Sequence, residues 1–587
     1  MIDAHEREAE APTAHETFDY TRSEPMQPPT HRTDRRRFLG AAAAAGTAWL
    51  ASPGALITRL SAQSPESRID VLLNEPVGTI APEIYGHFVE NLGGVVYDGI
   101  WVGEGSSIPN VSGIRKQLVD ALKKVKPGVI RWPGGCFADQ YDWRDGIGPR
   151  EKRPKRTNFW VDAAEWSKSA RRDGPQRYDP NQFGTPEFAR FCALAGAEPY
   201  LAANLRSLPA QEFWRWVEYC NSPANATMLG AERAADGLAG PIGVRYWGVG
   251  NESWGCGGNF DPEDYATEFN RYTAWVPSYG VRLGLVGSGP NDGNVDWTRR
   301  FFAKLSRTNT LGRLWGWAMH HYAWNASGGR TRDWLTGKRD AVQFDAEQYY
   351  DILREADEME SLIEAHWAVM GETDPRHRAK LVVDEWGAWY ASGTEPFPEA
   401  LIGQQNTMRD AVLAGLTLDT FNRHADKVAM AAVAQLVNCL QSLFLAHEDK
   451  FCLTPTYHVF DLYAAHQGAR SVRTVCASPS TRYSRNGVST TMRGLNGSAS
   501  MNAAGLLTLT VTNPSLDQTR ETEIQVHGGT PRSVTGVTLA PADPHAHNSF
   551  EDPRAVEPKP VAVSLKGSLM VHQFPPASVT RLTIELG

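Results

Sequence analysis

The chain has 587 residues, of which 41% are hydrophobic and 10% aromatic, enough for two or three domains with substantial cores. Its formal charge of −8, without a basic block beyond the N-terminal segment, leaves no electrostatic footprint for nucleic acid and no attraction to an anionic membrane. Seven cysteines make an odd count without paired or zinc-like spacing, so a disulfide framework is not required and no metal site is indicated.

The first segment reads as a targeting signal. In TDRRRFLGAAAAAGTAWLASPGALITRLSAQS, Arg35, Arg36 and Arg37 precede Phe38 and Leu39, an alanine-rich run and small residues near Ala62. This is the pattern of a twin-arginine export signal spanning 1–63, removed on maturation, with Met26 offering an alternative start. It predicts a periplasmic or secreted protein that keeps no membrane attachment.

SRIDVLLNEPVG, in the segment 64–80, predicts a strand expected to join a β domain later in the chain. Eight short apolar runs then alternate with helical patterns: IYGHFVENLGG, GVIRWPGGCF, EPYLAANL, RYWGVGNE, LGLVGSGPN, WGWAMHHY, KLVVDEW and VAMAAVAQLVN. Runs without polar alternation suit parallel strands buried on both faces, and helical spacing recurs between them at Ile114, Leu118, Leu122 and Val125. The prediction is a (β/α)8 TIM barrel over 81–469. From 470 to 587, β-branched alternation split by Gly, Asn and Pro predicts a jelly-roll-like β-sandwich.

In such barrels chemistry sits at the C-terminal strand ends. Glu252, after Asn251, closes the fourth run, and Asp384 with Glu385 closes the seventh. Two carboxylates facing across one cleft are what glycosidic cleavage needs. Arg131 ends the second run and would favour the ionised form of Glu385, while Glu252, beside Trp254 and less positive charge, would keep its proton. Tryptophans in polar surroundings (Trp160, Trp166, Trp214, Trp216, Trp254) suit stacking on sugar faces, or else fill a core.

The segments GHFVENLGGVVYDGIW, RWPGGCFADQYDWRDGIGP, WGVGNESWGCGG, VVDEWGAWY, QQNTMRDAVLAG, AQLVNCLQSL and TPTYHVF, in this order, resemble glycoside hydrolase family 51, the α-L-arabinofuranosidases of clan A. The resemblance runs from about Ile69 to the C-terminus. It implies a retaining double displacement with Glu252 as general acid/base and Glu385 as nucleophile. It further implies that Glu90, Asn251 and Gln435 bind the sugar, that Cys136 lines the same subsite, and that Tyr322, with His320 beside it, neighbours the nucleophile. Trp160 takes the place of a family aromatic residue, although an apparent insertion from Val161 to Pro180 separates it from NQFG. A second departure is ANLRSLPAQ, where the family carries a glycine-rich turn.

The combined expectation is an exo-acting α-L-arabinofuranosidase that removes terminal arabinofuranosyl residues from arabinoxylan- or arabinan-type chains, without a cofactor and as a homo-oligomer. A clan A β-glycanase and an inactive carbohydrate-binding barrel are the alternatives.

Overall fold

A computed structural model describes residues 66–161, 177–397 and 400–587; the expected export signal and most of the inserted loop lie outside the described residues. Strand β1, Ser67–Thr79, comes first. Eight strands with almost wholly buried residues follow: β2 Gly86–Phe88, β3 Val129–Trp132, β4 Glu198–Ala203, β5 Tyr246–Val249, β6 Gly284–Gly287, β7 Leu314–Ala323, β8 Lys380–Ala388 and β9 Val428–Ala434. They close in chain order, β9 pairing back onto β2, with every neighbouring pair parallel. Each strand coincides with one of the eight apolar runs, and the fold is the expected barrel.

The barrel is filled rather than hollow. Val129, Tyr200, Tyr246, Val286, Ala318, Val382 and Met430 form one buried cluster contributed by seven of its strands. Outside it, α1, Lys116–Val125, turns Leu118, Leu122 and Val125 inward at the spacing of one helical face.

Nine further strands form the C-terminal β-rich domain: β10 Arg470–Ala477, β11 Asn496–Met501, β12 Leu506–Asn513, β13 Arg520–His527, β14 Pro531–Leu539, β15 Lys559–Val561, β16 Ser564–Lys566, β17 Leu569–Phe574 and β18 Ser578–Leu586. With β1 they make a ten-stranded sheet in the order β15-β14-β18-β12-β11-β10-β1-β13-β17-β16. β1 pairs antiparallel with β10 and parallel with β13. Its alternation places Ile69 and Val71 in the sheet's own apolar cluster.

Helix α2, Met408–Arg423, is buried over nearly its whole length because the barrel covers one side and the sheet the other. Its buried acid Asp419 is paired internally with the sheet. Asp419 accepts hydrogen bonds from Ser498 at 2.7 Å and from Thr510 at 2.6 Å, and burial still lifts its carboxyl to about 6.

Candidate active site

Side chains two residues apart on a strand share a face. Val129, Ala318 and Val382 belong to the apolar fill, so Arg131, His320 and Asp384, each two residues further on, rise above it toward the C-terminal mouth. Regular alternation would then turn Glu385 outward. The β8–β9 register shifts between Val383 and Trp386, and this irregularity lets two consecutive acids reach the same side. Arg131 accordingly meets both: Nε lies 3.4 Å from Asp384 Oδ2, and Nη1 donates to Glu385 Oε1 at 2.7 Å.

Glu385 is held at both oxygens, since the Tyr322 hydroxyl donates to Oε2 at 2.7 Å. Its side chain is 8% exposed. Glu252 is looser, 21% exposed, and stands just past β5 at φ 37°, a left-handed conformation that a non-glycine residue rarely takes. His320 joins the two sides. Its Nδ1 donates to Glu252 Oε1 at 2.9 Å and lies 3.6 Å from Glu385 Oε2, while Nε2 is 3.2 Å from Asp384 Oδ1. Burial alone would lower its pKa, but the carboxylates of Glu385, Asp384 and Glu252 raise it to about 10, so the ring is an imidazolium at neutral pH. Burial likewise opposes the charge on Arg131, and Asp384 and Glu385 more than offset it. Asp384, which also accepts from Tyr200 at 2.8 Å, stays below the usual carboxylate range: burial works against it, and Arg131 and His320 prevail.

A second layer surrounds the pair. Glu90 Oε1 accepts from the backbone N–H groups of Gly135 at 3.1 Å and Phe137 at 3.0 Å, and Gln435 Nε2 donates to Oε2 at 3.3 Å. Burial, with Glu385 adding to it, lifts the Glu90 carboxyl to about 7 despite those N–H donors. Asn251 Oδ1 accepts from Arg131 Nη2 at 2.6 Å. Gly135 has to be a glycine, because a Cβ there would come 2.9 Å from Glu385 Oε1. Arg131, Asn251, Glu252, His320, Tyr322, Asp384 and Glu385 thus lie in one network of hydrogen bonds and ion pairs, and Glu90 with Gln435 forms a second bonded pair.

Three expectations change. Cys136 is joined to Cys256, 120 residues away, and Cys256 Sγ lies 3.7 Å from Glu252 Oε2, so one disulfide ties the loop after β3 to the loop after β5. The expected scarcity of positive charge near Glu252 is absent, because the His320 imidazolium is its neighbour. Trp216 is a core residue at 3% exposure, stacked on Trp143, and the Trp214 indole donates to the Tyr272 carbonyl; neither is a sugar platform. Trp160 packs edge-on against Phe159, and its backbone N–H donates to Asn158. No hydrogen bond ties it to the carboxylates, and Trp166 lies outside the described residues.

Asp384, Tyr200 and Asp139 also shape the site. Asp139 accepts from the backbone N–H of Leu205 at 2.8 Å and of Asn251 at 3.2 Å, fixing the ends of β4 and β5 together. A signal existed only for Asp384, as the acid preceding Glu385. Among the described residues, two places bring together three groups able to ligate a metal: Glu252, His320 and Glu385, and Cys136, Glu252 and Cys256. In the first, both His320 nitrogens already face carboxylates; in the second, the sulfurs are bonded to each other. Arg131 and His320 supply the site's positive charge.

Two family profiles match the chain: the α-L-arabinofuranosidase 1 domain over residues 121–327 and the α-L-arabinofuranosidase C-terminal domain over residues 384–578. An intracellular exo-α-L-arabinofuranosidase of Bacteroides ovatus is 35% identical over 92% of this chain and 98% of its own length. An intracellular exo-α-(1→5)-L-arabinofuranosidase of Bifidobacterium longum is 26% identical over 92% of this chain and 95% of its own. The crystal structure of the GH51 arabinofuranosidase from Xanthomonas axonopodis pv. citri superposes with a TM-score of 0.80 at 34% identity, covering 89% of this chain and all of that one. The expected export is corrected by these findings, since both curated relatives are named intracellular. The parallel barrel, its C-terminal β domain and these full-length similarities agree, and the chain belongs to glycoside hydrolase family 51, the α-L-arabinofuranosidases.

Proposed function

We propose that the chain is an exo-acting, retaining α-L-arabinofuranosidase in which Glu385 attacks the anomeric carbon and Glu252 handles the proton. The observation that carries this reading is the spacing of the pair: an oxygen of Glu252, an oxygen of Glu385 and a nitrogen of His320 all lie within 4.8 Å of one another. Retaining enzymes hold their carboxyl groups about 5–5.5 Å apart, whereas inverting enzymes leave roughly 6.5–9.5 Å for a water. Glu385, pinned by Arg131 and Tyr322, is aimed as a nucleophile. Glu252, the more exposed of the two and held at one oxygen by His320, protonates the departing oxygen and then takes a proton from water.

Glu90, Asn251 and Gln435 would bind the furanose hydroxyls, with the backbone after Cys136 closing that side. The expected substrates are terminal arabinofuranosyl residues on arabinoxylan- or arabinan-type chains, and the expected state is a homo-oligomer. Release of nitrophenol from aryl α-L-arabinofuranoside, against β-glucoside and β-xyloside, tests the reading. Internal cleavage of a β-glucan with no turnover of the arabinofuranoside would overturn it.

A further inference from the structure

The loop between β7 and β8 carries an arrangement that the chemistry above leaves unused. Trp324 meets Trp334 with ring centroids 5.1 Å apart, Trp334 meets Trp389 at 4.8 Å, and Trp389 stands edge-on to Tyr322 at 5.2 Å. Through Tyr322, whose hydroxyl bonds Glu385, this aromatic group borders the nucleophile. Lys338 lays its ammonium on two of the rings, 3.4 Å from the Trp334 centroid and 4.3 Å from that of Trp389.

The lysine is held in place by its backbone. Its two neighbours in the chain are anchored: Gly337 N–H donates to the Asp333 carbonyl and its own carbonyl accepts from Ala326 N–H, while the Arg339 carbonyl accepts from Ala391 N–H, beyond the end of β8. A Cβ on Gly337 would come 2.5 Å from the Trp324 ring. The amine is therefore carried on a loop fixed to both strand ends.

No carboxylate answers its charge among the described residues. Asp333 is occupied by the N–H groups of Leu335 and Thr336, Asp340 by those of Val342 and Gln343, and Glu355 faces Arg332 at 3.4 Å. Burial pulls the Lys338 ammonium down to about 7. Ring faces replace part of its water through cation–π attraction. A cation so placed gains strongly from an arriving anion, which restores the lost charge balance.

We propose that Lys338, presented on Trp334 and Trp389, is a recognition site for a carboxylate on the leaving-group side of the substrate. The ligand class is an arabinofuranosyl-bearing chain that also carries uronic acid residues, the ammonium taking the carboxylate. This deepens the arabinofuranosidase reading and rests on it. The sugar-binding candidates Glu90, Asn251 and Gln435 belong to the ends of β2, β5 and β9, whereas these aromatics rise from β7 and β8; His320 on β7 hydrogen-bonds Glu252, the group that protonates the leaving oxygen, so the loop after β7 borders the leaving-group side as well as the nucleophile.

The test compares kcat/KM on two arabinoxylo-oligosaccharides of equal length, one bearing a glucuronic acid and one neutral, with aryl arabinofuranoside as reference. The wild type should prefer the acidic oligosaccharide, and the preference should shrink as salt rises. Lys338→Met, which keeps the apolar stem on the rings, should lower the acidic-to-neutral ratio at least about fivefold, and Lys338→Arg should keep it. A wild type without preference at low salt would overturn the proposal, and so would a Lys338→Met variant that loses both oligosaccharides equally, as a purely structural clamp predicts. If Lys338→Met does not fold, the salt series and Lys338→Arg decide. Failure of the underlying reading would show separately, as no arabinose released from any of the three substrates.

Discussion

Glu252, just past the end of β5, and Glu385, inside β8 near its C-terminal end, face one cleft, yet they are held in opposite ways. Glu385 is clamped at both oxygens by Arg131 and Tyr322 and is 8% exposed. Glu252 has one firm donor, His320, a backbone in the left-handed region, a disulfide alongside and 21% exposure. A nucleophile must present one oxygen along one line of attack, and rigid donors fix that line. A group that gives a proton away and later takes one back needs access to the leaving oxygen and to water. The same residue type thus takes two chemical roles through its neighbours.

The sharpest way to break this contrast is to remove each acid in turn. Glu385→Ala should lower turnover by more than about 10,000-fold on every substrate, because no other group can form the glycosyl-enzyme. Glu252→Ala should cost about 100- to 10,000-fold on substrates with poor leaving groups and far less in the first step on aryl substrates. Steady-state and burst kinetics on paired substrates separate the two. Equal, leaving-group-independent losses would remove the distinction.

Smaller changes sharpen it. Tyr322→Phe deletes one of the two donors to Glu385, a charge-assisted bond of roughly 1.5–3 kcal/mol, and should cost about 10- to 100-fold in kcat whatever the leaving group. Cys256→Ser releases the loop beside Glu252 and should act on the other side of the contrast. It should cost less than about tenfold, and more with poor leaving groups than with aryl ones.

The clearest effect on stability concerns His320. Its pKa is raised to about 10 from an ordinary 6.5, so its contribution to stability is fully present below 6.5 and is lost as pH climbs through 10. Glu90, raised to about 7, acts in a lower window: its burial destabilises the fold increasingly between about pH 4.5 and 7 and adds no slope above 7. Tm should therefore fall as pH rises from 7 to 10, and His320→Gln should flatten that slope. A Tm slope unchanged in the variant would mean that the imidazolium is not the link between the two acids.

The barrel was legible because strands buried on both faces leave uninterrupted apolar runs, and the two glutamates because they end such runs. Other features depend on meetings across the closed barrel that no local pattern records. The charge of His320 comes from Asp384 and Glu385 on the adjoining strand and Glu252 two strands away. Asp384 and Glu385 share a cleft only because the β8 register slips. Cys136 and Cys256 are 120 residues apart within an odd set of seven, which hides a single pair. Trp214 and Trp216 sit in polar sequence but lie on a helix, Ala210–Asn221, whose apolar face enters the core.

The most direct measurement is the identity of the residue that becomes glycosylated. Glu252→Ala, mixed rapidly with an aryl α-L-arabinofuranoside, should accumulate the covalent intermediate, because the base that activates water is missing. Peptide mass spectrometry should find the arabinosyl group on Glu385, and added azide should release arabinosyl azide with retained configuration. An adduct on any other residue, or an azide product of inverted configuration, would contradict the assignment of Glu385 as nucleophile and Glu252 as acid/base.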